Sequence, residues 1–187
     1  MSLCLGGKSQ TVIPYRLLDH TSDIKVEIYG ADLAELFTNA ATCLFDLILD
    51  RKKVRETQSV PVSLKSADLP ELLLDWLREL LFLFSTHSLA IRRVEIHSIE
   101  PTGMPSAIAS SSPPRVESVE SAKSVDAISG SGAPSAVSGY HVKATVFGEE
   151  FSQERHGLKI EIKTPTYHQY QIDKTAEGYR ATVIFDV

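Results

Sequence analysis

Cysteine is nearly absent. Cys4 and Cys43 are the chain's two, too few for a disulfide framework and not spaced as a CxxC pair, so a disulfide scaffold and a Cys-rich structural zinc site are excluded and a reducing interior is expected. Long apolar runs are missing too: none approaches the roughly 20 residues that span a bilayer. The opening Met1-Ser2-Leu3-Cys4-Leu5-Gly6-Gly7 has neither the basic nor the apolar region of a secretory signal. There is no excess of positive charge. Nineteen Lys and Arg against 24 Asp and Glu leave a net −5 and a pI near 5.7, which argues against wrapping duplex phosphates by bulk charge and leaves only a local basic patch open. No nucleophile elbow, Walker loop, HExxH or kinase signature occurs. What is present is the composition of one globular core: 187 residues, 43% hydrophobic and 23% charged, expected in the cytoplasm and away from membranes.

Between Pro101 and Gly139, Ser, Ala, Pro and Gly fill 26 of 39 positions and no aromatic occurs. Such a stretch buries too little apolar area to offset its ordering entropy, so residues 101–139 are expected to be a disordered insertion. Gly130-Ser131-Gly132 within it lacks the strand before and the helix after that a phosphate loop needs. The rest reads as a flexible start, residues 1–14, and one domain, residues 15–187, interrupted by the insertion.

Two helices precede the insertion. Leu33, Leu36, Phe37, Ala40, Leu44, Leu47 and Ile48 recur every three or four residues, and Leu72, Leu73, Trp76, Leu77, Leu80, Leu81 and Phe84 do the same; each series marks a buried helix face. Asp32 with Glu35, and Asp68 with Glu71, have capping-box spacing. Ala31-Asp32-Leu33-Ala34-Glu35-Leu36 matches Ala67-Asp68-Leu69-Pro70-Glu71-Leu72 at an offset of 36, either a duplicated strand–helix unit or convergent capping. Arg51-Lys52-Lys53-Val54-Arg55 reads as a cationic cap on the first helix dipole. Trp76 and Cys43 read as core.

Alternation predicts strands at Ile24–Ile28 (ending at Gly30), Val60–Leu64, Ile91–Ile99, Tyr140–Phe147 and Lys159–Lys163, and a closing hairpin of Tyr170–Asp173 and Tyr179–Val187 turning at Glu177-Gly178. The expected fold class is α+β: two layers, a mainly antiparallel sheet packed against two long helices.

Three polar clusters carry candidate chemistry. Asp19-His20-Thr21-Ser22-Asp23 precedes a strand; such residues commonly form turns, or a rigid strand holds His20 and Asp23 for function. Asp186 and Val187 end an otherwise apolar strand, so the tail is expected to pair within the sheet. If the ends meet, their carboxylates would repel without a hard divalent cation such as Ca²⁺ or Mg²⁺. Lys163-Thr164-Pro165-Thr166-Tyr167-His168 offers a point charge at Lys163 and a proton-exchanging group at His168, with Pro165 forcing a strand break or an edge.

Together these clusters resemble the archease family. The resemblance runs through Leu18-Asp19-His20-Thr21-Ser22-Asp23-Ile24, Gly30 to Phe37, Leu73-Leu74-Asp75-Trp76-Leu77, Gly148-Glu149-Glu150-Phe151, Ile162 to His168 and the final Phe185-Asp186-Val187. Ser22, the Thr164-Pro165 pair and the insertion depart from the family pattern, and none of them removes a charged motif residue. The resemblance implies a non-catalytic, metal-binding activator of an RtcB-type RNA ligase, promoting its guanylylation and multiple turnover in tRNA splicing and RNA repair, in the cytoplasm or, in a eukaryote, also the nucleus. It places a divalent cation, Ca²⁺ foremost, on Asp23, Asp186 and Val187. It assigns partner contact and activation to Lys163, His20, Thr166 and His168, with tRNA met only through the ligase. Two other classes stay open: a metal-dependent hydrolase or transferase using His20 and His168, and a general RNA-binding or chaperone-like module.

Overall fold

The computed structural model describes residues 14–18, 23–102 and 139–187, apart from the side chains of 167–170. Residues 1–13, the 19–22 part of the first polar cluster and the interior of the Ser-rich stretch, 103–138, lie outside the described residues.

In chain order the elements are β1 (Tyr15–Leu18), β2 (Ile24–Gly30), α1 (Leu33–Ile48), a 3₁₀ turn (Arg51–Lys53), β3 (Gln58–Ser66), α2 (Leu69–His87), β4 (Leu89–Pro101), β5 (Tyr140–Glu150), α3 (Gln153–His156), β6 (Thr164–Thr175) and β7 (Gly178–Asp186). Every strand pairing is antiparallel, and the fold is the expected α+β class. The sheet is divided in two, with strand orders β1-β2-β7-β6 and β3-β5-β4.

Both helices begin as their sequences dictate. Asp32 accepts from the Glu35 amide at 2.8 Å while the Glu35 carboxylate accepts from the Ala31 amide at 2.7 Å. Asp68, Glu71 and Ala67 repeat the arrangement at 2.7 and 3.2 Å. Each cap is worth about 1 kcal/mol. α1 packs against β2 and β4, and α2 against β3 and β6, so each helix touches both sheets. That is why Ala41, Phe45, Leu74 and Leu83, off the expected faces, are buried as well. Trp76 is fully buried, donating to the Phe37 carbonyl at 3.1 Å. Cys43 is buried too, and burial pushes its thiol well above the ordinary range, so it packs as a small hydrophobe.

Two expectations are corrected. Lys159–Lys163 is not a strand. Leu158 makes an isolated bridge to Leu49, and Lys159 donates to the Ile48 carbonyl at 2.7 Å, which ties this stretch to the end of α1. The strand starts instead at Thr164 and runs to Thr175, with the turn at residues 176–177. The Arg51–Lys53 run does not cap α1, whose last turn holds no basic residue. α1 ends at Ile48, Leu49 is extended, and the run forms its own turn, where Arg51 pairs with Asp46 at 2.8 Å and Lys53 with Asp50 at 3.4 Å.

Candidate functional site

The final strand is central. β7 lies between β2 and β6, so the expected pairing of the tail holds on both sides. Apolar side chains carry it to the end: Ala181, Val183, Ile184 and Phe185 are all buried. Asp186 follows half-exposed, since the core stops there.

Pairing then gathers the candidate residues. Ile24 pairs with Phe185 and Lys25 with Ile184, so Asp23, one residue before Ile24, stands beside Asp186, one after Phe185. On the other flank Thr164 pairs with Asp186. Lys163, just before it, donates its amide to the Asp186 carbonyl at 2.9 Å. The Lys163 ammonium turns back on the same strand end, donating to the main-chain oxygen of Val187 at 2.9 Å and standing 4.0 Å from Asp186 Oδ1. Lys163 therefore opens a strand rather than following one, and its charge is held over the end of β7.

Pro165 sits in β6, which is an edge strand of its sheet, a position that a residue without an amide hydrogen tolerates. Thr166 pairs with Ile184 and is half-buried, two residues inward from the cluster. The β6–β7 register shifts between Thr166 and Gln171, so the Tyr167-His168 dipeptide falls at the break. The His168 side chain and all of His20 lie outside the described residues.

Asp23, Asp186 and Val187 are thus set at one sheet end with oxygen-only donors. Among the described residues no three His, Cys, Asp or Glu side chains stand together as a metal cluster; the expected trio has two carboxylate side chains, and Val187 could add only main-chain oxygen. Oxygen donors alone suit a hard divalent ion, and the residues present fit one.

Lys163 also forms one rim of a groove of about 430 Å³ whose walls include Phe84, Phe151 and Leu158. A buried network that sequence reading did not single out supports this wall. Glu149 accepts from the Arg55 amide at 2.8 Å and pairs with Arg155 at 2.9 Å and with fully buried His156 at 3.1 Å. The Ser152 amide donates to His156 Nδ1 at 3.0 Å, leaving Nε2 to face the carboxylate. Burial raises the Glu149 carboxyl, but the Arg55 amide, His156 and Arg155 outweigh it and hold it below the ordinary glutamate range. The His156 ring lies 5.8 Å from Phe151, itself 5.2 Å from Phe84. The one sequence signal was the Gly148–Phe151 motif; nothing local shows that His156 returns to it.

No helix among the described residues is long and apolar enough to cross a membrane. The sequence pattern of the Archease protein family (MTH1598/TM1083) matches residues 15–187. Protein archease of Methanosarcina barkeri is 34% identical over 173 residues, 92% of this chain and 95% of the relative. That of Archaeoglobus fulgidus is 32% identical over 175 residues, 92% of this chain and 98% of the relative. Among solved structures, the solution structure of Methanobacterium thermoautotrophicum protein 1598 superposes with a TM-score of 0.65 at 27% identity, over 93% of this chain and 99% of that one. With the family pattern matched from the first described strand to the last residue, this chain belongs to the archease family.

Proposed function

We propose that this protein is a non-catalytic activator of an RtcB-type RNA ligase, promoting its guanylylation and repeated turnover in tRNA splicing and RNA repair. The observation that carries the reading is the gathering of Lys163, Asp186 and Val187, flanked by Asp23, at one exposed sheet end. A lysine ammonium 62% exposed beside oxygen donors is suited to meet a phosphate or carboxylate on a docking enzyme. Asp23, Asp186 and the main-chain carboxyl of Val187 would hold a divalent cation, Ca²⁺ foremost, which would supply fixed positive charge at the contact. Lys163, whose amide and ammonium both bond this strand end, would orient the tail. Thr166 would line the approach, with His20 and His168 as further contact residues. A family of accessory proteins supports the absence of turnover by this chain alone, and the same reading places it where RNA is processed, in the cytoplasm or a nucleus.

The test is joining of a 3′-phosphate RNA by the ligase with GTP, ligase limiting, with and without this protein. Activation predicts product well beyond one equivalent of ligase only when both are present. Product capped at one equivalent in both arms would refute it, and turnover by this protein without ligase would favour a metal-dependent enzyme.

A further inference from the structure

We propose a second surface, separate from the β7 end: the basic rim where the Arg51–Arg55 segment meets β4, as a contact for the phosphates of single-stranded RNA. The segment leaves α1 and forms its own turn against β4. Arg51 donates to the Arg92 carbonyl at 2.9 Å, and Arg92 donates back to the Arg51 carbonyl at 2.7 Å. This reciprocal pair holds two guanidinium groups at one seam. Arg93, next in β4, sits with its guanidinium 4.0 Å from the centre of the Phe147 ring.

The charges are unevenly matched. Arg51 has Asp46, Lys53 has Asp50, and Arg93 has Glu56 and Glu95. Lys52, Arg55 and Arg92 have no ion pair among the described residues, and Lys52 and Arg55 are exposed. Along this rim Arg51, Lys52, Lys53, Arg55, Arg92 and Arg93 face four carboxylates, Asp46, Asp50, Glu56 and Glu95, an excess of positive charge that, in a chain of net charge −5, points to an anionic partner.

The adjoining surface favours nucleic acid over an acidic protein. β5 alternates, with Val142, Ala144 and Val146 buried while Lys143 is exposed and His141, Thr145 and Phe147 are half-buried. The outward residues of the β3-β5-β4 sheet are thus mostly polar. The buried centre of a stable protein interface is more apolar than its surroundings, whereas on the outward face of β5 Phe147 stands as a single large apolar side chain among His141, Lys143 and Thr145. A nucleotide needs cations for its phosphate and a flat group for its base. Guanidinium forks fit phosphate oxygens, and the Arg93–Phe147 pair supplies the flat surface.

The measurement uses the full-length protein alone, so it stands or falls apart from the ligase reading. A labelled, unstructured single-stranded RNA is titrated and followed by fluorescence anisotropy between 50 and 200 mM salt. Three phosphate contacts predict a log–log salt slope of about −2, or about fifteenfold weaker binding across that range. Arg55→Glu should weaken binding at least tenfold at 50 mM. Lys174→Glu carries the same charge change at an exposed residue of the distant hairpin and should leave binding within twofold. Circular dichroism melts of both variants are expected to overlay the wild type. No binding at 50 mM, equal losses in both variants, or preferential binding of an acidic polyglutamate peptide would each overturn the proposal.

Discussion

Removal of the Ser-rich stretch should stabilise the domain rather than harm it. The two strands that flank it already pair to their ends: Pro101 pairs with Tyr140, and the Thr102 amide donates to the Gly139 carbonyl at 2.7 Å. The connection therefore closes an antiparallel hairpin that a short loop can also close. Deletion of residues 103–138, 36 positions, and their replacement by Gly-Asn-Gly-Ser shortens the loop about ninefold, or roughly three doublings. At about 0.6 kcal/mol per doubling, a segment without contacts of its own then costs about 2 kcal/mol in closure entropy, which the deletion returns. For a domain of this size that is a rise of about 4–8 °C in Tm. Gly139 is kept, because its φ of +133° suits glycine and a Cβ there would stand 2.4 Å from the Ser66 carbonyl oxygen. The assay is a thermal melt by circular dichroism beside ligase joining. A lower Tm, or a melt that is no longer cooperative, would show that the segment packs on the domain and refute the reasoning.

Three further outcomes are expected. Lys163→Ala should keep the melt within about 1 kcal/mol of wild type, the scale of an exposed ion pair, yet lose most ligase activation, and Lys163→Arg should recover part of it; activation equal to wild type would reduce Lys163 to a solvated strand end. Ca²⁺ should raise the Tm by binding the native state alone, and Asp23→Asn or Asp186→Asn should abolish the rise; a shift surviving both substitutions would remove the cation from this sheet end. Glu149→Ala should cost about 3 kcal/mol by leaving buried His156 and the Arg55 amide without their acceptor. Because the folded Glu149 carboxyl is held below its ordinary value, its contribution is complete above the ordinary glutamate pKa and is lost as pH falls through the depressed one. The wild-type acid limb should therefore fall more steeply than that of Glu149→Gln in urea titrations below about pH 5, and parallel limbs would contradict the assignment.

Much of this architecture is written locally. Asp32 and Glu35, or Asp68 and Glu71, lie within one helical turn, so their caps need no distant partner, and the periodicity of Leu36, Ala40 and Leu44 reports a buried face before the neighbour is known. Alternation at Ile24–Ile28 and Val60–Leu64 likewise marks strands, and apolar residues up to Phe185 mark a tail that pairs. The polar clusters that hold the candidate residues stand out as motifs for the same reason.

Which strands lie side by side is a different kind of fact. Tyr15–Leu18 is too short to show alternation and becomes a strand only because β2 offers it an edge. Lys159–Ile162 alternates well, yet the end of α1 takes its hydrogen bonds, and no pattern within five residues reveals that competition. Asp23 lies 163 positions before Asp186, and their proximity follows from β7 entering between β2 and β6, a choice made by core packing over the whole chain. The same holds for Arg51 with Arg92 and for Glu149 with His156. Residue type and short-range spacing settle what each segment can form; non-local burial and register decide which charges finally meet.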